Sequence, residues 1–484
     1  MNVVLANAPW YRPGYYGVRA GSRWPHFERT DSPYMPFPFF MAYAAALLQR
    51  DGRAVTLVDG VAERLSATVF DQRVIAARPD VLLLEISTAS LASDLADIAR
   101  LRCALPAIKI AVAGVHAPMH QPEFLRAHPA IDFALVGEYE ETLAELAAGT
   151  PPERIAGLNW RSADGSIVAN ARRVLRTDLD SLPWPARNLF PMERYWDVPG
   201  GMPLPSVQMW GSRGCPYGCV YCAWPQIVYG SRAYRARSAK AMADEFEHLV
   251  NSEGYRSVYF DDDTFNIGRE RMLEFCAELR RRGLRTPWAI MARADLMDRE
   301  LLEAMRRTGL TAVKYGVESA DQHILDRAGK GLDLTKAVAT IRLTHALGIK
   351  THLTFCFGLP GETRATALRT IALACALAPD SLQFSLATPF PGSAYYRAAE
   401  TAGTLVTDDF TRYDGYSTAV VRTEMLTAAE LEALRDLAER RWAAQQLRRR
   451  VLRRPLHYLL DGVRRPELLL NKIKRLLPMN GNGD

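Results

Sequence analysis

Short apolar runs of strand length alternate with segments whose apolar positions recur every three or four residues, and this alternation, repeated over two long stretches, leaves few folds open to the chain. In the first stretch the runs lie at 3–6, 54–58, 81–86, 110–113 and 133–136. The periodic segments lie at 37–49, 67–77, 91–105, 122–127 and 140–148. Strands separated by helices become parallel neighbours, so residues 1–150 are predicted to form a doubly wound, Rossmann-like α/β domain. Ligands of such a sheet sit beyond the carboxyl ends of its strands. Those ends are Ala8-Pro9, Asp59-Gly60, Ser87-Thr88, Gly114-Val115-His116 and Gly137-Glu138.

Eight prolines interrupt the rhythm over 151–205. Two strand-like runs around Ala163-Asp164-Gly165 suggest a hairpin on this linker, which marks a domain boundary. A chain of 484 residues exceeds the size at which one core stops growing, which agrees with two domains. Over 206–400 the alternation resumes, with strands at 207–211, 257–260, 289–292, 312–316, 351–357 and 382–387. Helices are expected between them at 242–252, 269–282, 299–308, 334–347 and 364–377. Six strands with helical crossovers suit a partial (β/α)6 TIM-type barrel, whose active site lies at the carboxyl ends of its strands. A second open sheet is the topological alternative. Residues 401–484 read as a helical, basic segment, with a helix at 427–449 opened by the capping-box spacing Thr427…Glu430.

Three of the seven cysteines fall within eight residues, in Gly214-Cys215-Pro216-Tyr217-Gly218-Cys219-Val220-Tyr221-Cys222, just after the first barrel strand. An odd count clustered in this way is unlike a secreted disulfide framework and suits thiolate ligands in a reducing compartment. Three thiolates can each hold one iron of a four-iron cubane, leaving the fourth iron open to a chelating molecule such as S-adenosylmethionine. A zinc site would want a fourth ligand and a second cysteine pair, and the next cysteine is Cys276. A ferredoxin run would have two residues in both gaps and a fourth cysteine close behind. An electron carrier or sensor holding the cluster without catalysis is the reading from another functional class.

The C-x-x-x-C-x-x-C loop, with an aromatic residue before its last cysteine, resembles the radical S-adenosylmethionine superfamily. Asp261-Asp262-Asp263, Ala292-Arg293-Ala294-Asp295, Gly316-Val317-Glu318-Ser319, Lys330, Gly358-Leu359-Pro360-Gly361-Glu362-Thr363 and Pro389-Phe390-Pro391-Gly392 extend the likeness. The preceding doubly wound domain, the Leu182-Pro183-Trp184-Pro185 linker and Val136-Gly137-Glu138-Tyr139-Glu140 are similar to the subgroup with a cobalamin-binding domain. The resemblance implies a [4Fe-4S] cluster on Cys215, Cys219 and Cys222, S-adenosylmethionine and cobalamin. It places Glu318 and Ser319 at the ribose, where a carboxylate and a hydroxyl can bond its hydroxyls, with Gly316 admitting the backbone close to the ligand. Arg293 is expected to receive the cofactor's carboxylate, or else to pair with Asp295 or Glu318. Asp261 is expected near its amine, and Gly358 and Pro360 at a backbone bend against adenine. Ser87, Thr88, Gly114 and Gly137 are expected at the cobalamin. The Asp-x-His-x-x-Gly motif that supplies an axial histidine in many cobalamin domains is absent, as in many members of the subgroup. The implied activity is methylation of an unactivated carbon in a small-molecule or lipid substrate. Radical rearrangement, ring contraction or cyclisation is the alternative. The implied electron donor is a flavodoxin or ferredoxin.

Charge adds one further expectation. Twelve Lys/Arg against Asp461 and Glu467 over 440–478 leave the rest of a +6 chain slightly acidic, so no nucleic-acid partner is expected for the body. The tail suits either a solvated helix packed on its own protein or contact with an anionic membrane surface. With neither a signal-like start nor an apolar run of spanning length, the expected location is the cytoplasm, peripheral at the membrane if the tail engages it.

Overall fold

The computed structural model describes residues 1–21 and 25–453. It opens with strand β1 (Asn2–Asn7) and a small antiparallel sheet of β2 (Tyr11–Arg12), β3 (Tyr15–Val18) and β4 (His26–Arg29). No apolar run foreshadows these three short strands. The predicted alternation follows: α1 (Phe39–Arg50), β5 (Ala54–Asp59), α2 (Ala67–Ala76), β6 (Val81–Ser87), α3 (Leu91–Ala104), β7 (Lys109–Val115), α4 (Pro122–Ala127), β8 (Phe133–Leu135) and α5 (Glu140–Ala147). The parallel order β5-β1-β6-β7-β8 reverses direction at β1, which makes the sheet doubly wound. Val3, Val4, Leu5, Leu82, Leu83, Leu84 and Ile110 are fully buried, as a parallel sheet covered on both faces requires.

The expected hairpin forms from β9 (Leu158–Arg161) and β10 (Ile167–Ala169), and Gly165 takes φ +84° in its turn. It does not stand apart on a linker. β9 pairs antiparallel with β8 and carries the first sheet two strands further, because Leu158 finds a buried place beside Leu135.

The second lobe contains β11 (Ser206–Met209), β12 (Ser212–Arg213), β13 (Arg235–Ala236), α6 (Ala239–Glu247), β14 (Ser257–Phe260), α7 (Arg269–Arg281), β15 (Trp288–Ala292), α8 (Arg299–Arg307), β16 (Leu310–Glu318), α9 (Gln322–Arg327), α10 (Leu334–Ala346), β17 (Lys350–Phe357), α11 (Arg364–Leu377) and β18 (Ser381–Leu386). α12 (Ala394–Thr401) and α13 (Ala428–Arg453) complete it. Strands β11, β14, β15, β16, β17 and β18 lie parallel in chain order. A sheet wound in one direction curls into an open barrel, which decides against the second open sheet. Ser238, Asp298, Asp321, Asp333, Thr363 and Ser393 cap the helices that follow them by accepting from their first free N–H groups. The helix expected at 242–252 starts three residues earlier and ends in a wide π turn at His248–Ser252. Phe246, Phe260, Phe265, Phe275 and Trp288 meet largely edge to face between sheet and helices.

The two lobes share a core. Trp210, Trp224 and Tyr229 of the second lobe pack with Phe39 and Phe40 of the first, and Phe39 stacks on Trp210 at 4.3 Å. Helix α13 opens on the expected capping box: Thr427 N–H donates to Glu430 Oε2 at 2.9 Å and Glu430 N–H to Thr427 Oγ1 at 3.3 Å. It packs against α11 and the edge strand β18. The basic stretch from 454 onward, with the expected membrane contact, lies outside the described residues. Among the described residues no helix is long and apolar enough to cross a membrane.

Candidate active site

Cys215, Cys219 and Cys222 lie between β12 and β13, beyond the carboxyl end of β11, and are partly exposed and in no disulfide. The loop is held on every side. Gln226 Nε2 reaches the carbonyls of Cys219 (3.2 Å), Val220 (3.0 Å) and Cys222 (2.7 Å), and its Oε1 accepts from Ala394 N–H at 2.6 Å. Val220 N–H donates to Ala328 O at 2.9 Å. Gly329, at φ +67°, lets 328–331 pass so close that a Cβ there would lie 2.5 Å from Gly218 O. Nothing in its spacing marks Gln226 as a support of this loop.

The three aspartates after β14 diverge, so the acidic cluster does not act as a unit. Asp262 accepts from Gly211 N–H at 2.9 Å and from the Ser212 hydroxyl, and burial pushes its carboxyl up to about 7. Asp263 accepts from Gly214 N–H (3.0 Å) and the Tyr229 hydroxyl (2.9 Å), so it holds the cysteine loop. Asp261 is buried beside the Tyr259 hydroxyl at 3.1 Å. Among the described residues no three His, Cys, Asp or Glu side chains are arranged to hold one metal ion. A cubane makes no such demand, because each thiolate binds a different iron.

Glu318 ends β16 in the left-handed region at φ +69°, a strained setting for a carboxylate residue. Its Oε1 accepts from Lys330 Nζ at 3.0 Å, and Thr354 Oγ1 approaches at 3.4 Å. Burial pulls the Lys330 ammonium down, but Glu318 and Cys219 outweigh it and leave the ammonium above its ordinary value. Burial, Cys219 and Glu318 together push the Tyr221 hydroxyl far up. Glu318, Lys330 and the cysteine loop therefore form one neighbourhood. Gly316 belongs to it too, since a Cβ there would lie 2.5 Å from Glu318 Oε1 and 3.1 Å from Lys330 Nζ.

Two candidate side chains on this face already have partners within the protein. Arg293 is buried with its fork already filled: Nε and Nη2 hold Asp295 at 3.1 and 2.8 Å, Nη1 donates to Lys330 O and Nη2 to Gly331 O, both at 2.8 Å. It stacks 3.5 Å from the Tyr217 ring of the cysteine loop, so it braces the loop and leaves no open fork for a carboxylate. Ser319 is fully buried and faces inward to Thr370 (3.5 Å) and Asp321 N–H (3.2 Å), away from the open face that Glu318 occupies.

Gly358 takes φ +87° and forms a bend with Leu359, Pro360 and Gly361, as the turn residues predict. Glu362 folds back beneath it, accepting from Gly358 N–H, while its Oε1 is sealed without a hydrogen-bond partner. Burial pushes its carboxyl up to about 8 against the pull of the Gly358 and Leu359 N–H groups. A carboxyl raised on folding gives stability that is complete below its unfolded value and is lost as pH rises through the folded one. Glu362→Gln is therefore expected to remove a slope of roughly 1 kcal/mol per pH unit between about pH 5 and 8. Denaturation midpoints of both proteins across that range measure it; equal slopes would refute it.

At the carboxyl edge of the first sheet, Gly114 and Gly137 are partly open, at φ +120° and +84°. Ser87 and Thr88, expected there as ligands, are sealed: Ser87 Oγ pairs with Ser90 Oγ at 2.6 Å and Thr88 Oγ1 with His116 Nδ1 at 3.2 Å. The cover comes from the second lobe, with Phe410 against His116 and Gly392 against Ala117. Burial, with His120 and His128 nearby, pushes His116 down to about 3, so its ring is neutral. The buried Nε2 of His120 has no hydrogen-bond partner.

Comparison with known proteins agrees with this geometry. Residues 211–374 match the Radical SAM superfamily and residues 31–147 match the B12 binding domain. An uncharacterized methyltransferase of Pyrococcus horikoshii is 28% identical over 381 residues, 78% of this chain and 81% of that protein. The anaerobic magnesium-protoporphyrin IX monomethyl ester cyclase of Rubrivivax gelatinosus is 27% identical, over 88% of this chain and 75% of its own. Among solved structures, the radical S-adenosylmethionine methyltransferase TsrM of Kitasatospora setae, with cobalamin and a [4Fe-4S] cluster bound, superposes with a TM-score of 0.64 at 19% identity. That match covers 84% of this chain and 76% of TsrM. The chain thus carries a B12 binding domain followed by a Radical SAM domain.

Proposed function

We propose that the protein methylates an unactivated carbon of a small-molecule or lipid substrate, using a [4Fe-4S] cluster, S-adenosylmethionine and cobalamin. The observation that carries this reading is the junction between the lobes. Gly137, at the ligand edge of the first sheet, lies so close to the cysteine loop that a Cβ there would be 3.0 Å from Val228 O, and Arg172 donates to Ile227 O and Val228 O at 3.0 and 2.6 Å. Methyl transfer requires the two cofactor regions to address one substrate, and this junction brings them together. When bound, the cofactors supply a hydrogen-abstracting radical and a methyl group.

The chain's own residues orient and enclose. Cys215, Cys219 and Cys222 hold three irons of the cluster. Glu318, with Lys330 beside it, is the ribose acceptor, Asp261 lies toward the amine, and the Gly358–Pro360 bend backs the adenine. Arg293 keeps Tyr217 and the loop in place. Gly114 and Gly137 let the corrinoid approach the sheet edge. Electrons come from a flavodoxin or ferredoxin, and the site of action is the cytoplasm.

The test is incubation of reduced, cobalamin-loaded protein with methyl-labelled S-adenosylmethionine and metabolites from cells carrying the gene. Methyl transfer yields S-adenosylhomocysteine and a labelled product. Radical cyclisation, the second reading, is supported by the likeness to the cyclase and yields 5′-deoxyadenosine with no label in the product.

The corrinoid is expected to carry no histidine on its cobalt. His26 faces Glu28 at 3.3 Å, His116 is engaged by Thr88, and the His128 ring lies tilted against Phe124 at 4.6 Å. Paramagnetic resonance of the cobalt(II) form should show no nitrogen splitting. A splitting that vanishes in His120→Ala would overturn this assignment.

A further inference from the structure

All three cysteines sit on the stretch 214–234, and its base is a two-residue antiparallel ladder in which Arg213 pairs directly with Arg235. Two like charges facing each other across a ladder repel. Both are buried, with side chains 3% and 4% exposed, so solvent does not relieve the repulsion. The relief comes from the other lobe. Glu138 grips Arg235 with both oxygens, at 2.6 and 2.9 Å, and stands 3.4 Å from Arg213. Glu140 lies 2.6 Å from Arg213. Two guanidinium groups and two carboxylates thus form a neutral, buried quartet that spans the lobes. The bidentate fork between Glu138 and Arg235 fixes direction as well as distance.

We propose that Glu138 is a positioning residue for the cluster: through Arg213 and Arg235 the B12-binding lobe closes the base of the cysteine loop and preorders its thiolates. Cys215 follows Arg213 by two residues, so the register of the ladder sets where the first thiolate leaves the sheet. Glu138 also follows Gly137 directly, so one turn both lines the ligand edge of the first sheet and grips the loop. Asp263 holds the same loop from the barrel side, whereas the Glu138 contact reaches it from the other lobe, at the ladder that closes its base. The inference rests on these three cysteines being the cluster's ligands, but its test reads the order of the loop without iron.

The full-length apoprotein is treated with iodoacetamide and alkylation of each cysteine is followed by mass spectrometry. In Glu138→Gln the three loop cysteines should react roughly tenfold faster than in the unaltered protein, because a broken buried pair favours local opening. Cys276, buried in α7, should stay protected. The double variant Glu138→Arg with Arg235→Glu restores opposite charges across the contact and should return the loop rates toward those of the parent. Unchanged loop rates in Glu138→Gln would overturn the proposal. So would equal exposure of Cys276, which would mean that the quartet holds the whole fold, or a double variant as reactive as the single one. Failure of the ligand reading itself would appear separately, as iron bound without these cysteines.

Discussion

Substituting Cys215, Cys219 and Cys222 together by alanine is expected to reduce the iron held by anaerobically reconstituted protein from about four per chain to background. The cluster's visible absorption and S-adenosylmethionine cleavage should be lost with it. No other thiolate can stand in. Cys276 and Cys356 are buried in the core, and burial pushes both thiols up, Cys276 to about 11. Cys103 lies on α3 of the first lobe and Cys375 on α11. The fold should survive, because the three side chains are partly exposed and the loop is held by Gln226, Asp263 and Arg293, which remain. A normal cubane signal in the triple variant, with an unchanged melting temperature, would remove the basis of the functional reading.

The second large effect is one of stability. Glu245 in α6 is 1% exposed and lies between Arg187 of the linker, at 2.7 Å, and Arg237. Those arginines also donate to the carbonyls of Gln208 (3.0 Å) and Trp210 (3.2 Å), so the triad ties the linker to the first barrel strand. Glu245→Ala leaves two buried guanidinium groups without their carboxylate and is expected to cost about 3–5 kcal/mol. In a chain of this size that lowers the melting temperature by roughly 3–5 °C. Burial alone would raise the Glu245 carboxyl, but Arg237 and Arg187 outweigh it and hold the group below its ordinary value. Its contribution is therefore present above the ordinary carboxylate range and lost as pH falls through the lowered value. Calorimetry of both proteins should show their melting temperatures converging at low pH. A loss of less than about 1 kcal/mol at neutral pH would mean that the triad adds nothing beyond filling space.

Much of the architecture could be read directly from residue periodicity. The alternation of β1, β5, β6, β7 and β8 with their helices, and of the six barrel strands with theirs, is local information: a period near two or near 3.6 is written within a dozen residues. The cysteine loop was legible for a related reason, since its three thiols fall within eight residues and their spacing does not wait on distant partners. The short strands β2, β3 and β4 were not, because at two to four residues each they are too brief to leave a periodic mark.

What the amino-acid order settled by itself was thus the class of fold, the place of the cysteine loop and the cofactors that the matched domains use. The tertiary structure alone decided which partner each polar side chain takes. Arg293 could have received a ligand's carboxylate or Asp295, and Asp295 took it because the chain brings both to one buried strand end. Ser87 and Thr88 stand at the strand ends where a ligand was expected, yet Ser90 and His116 satisfy them under a cover drawn from hundreds of residues away. The hairpin β9–β10 found the edge of β8, and Glu138 found two arginines across the lobe junction. The reason is common to all four: a buried polar group or open sheet edge must be satisfied by whatever the fold places beside it, and that neighbour is set by packing between distant segments.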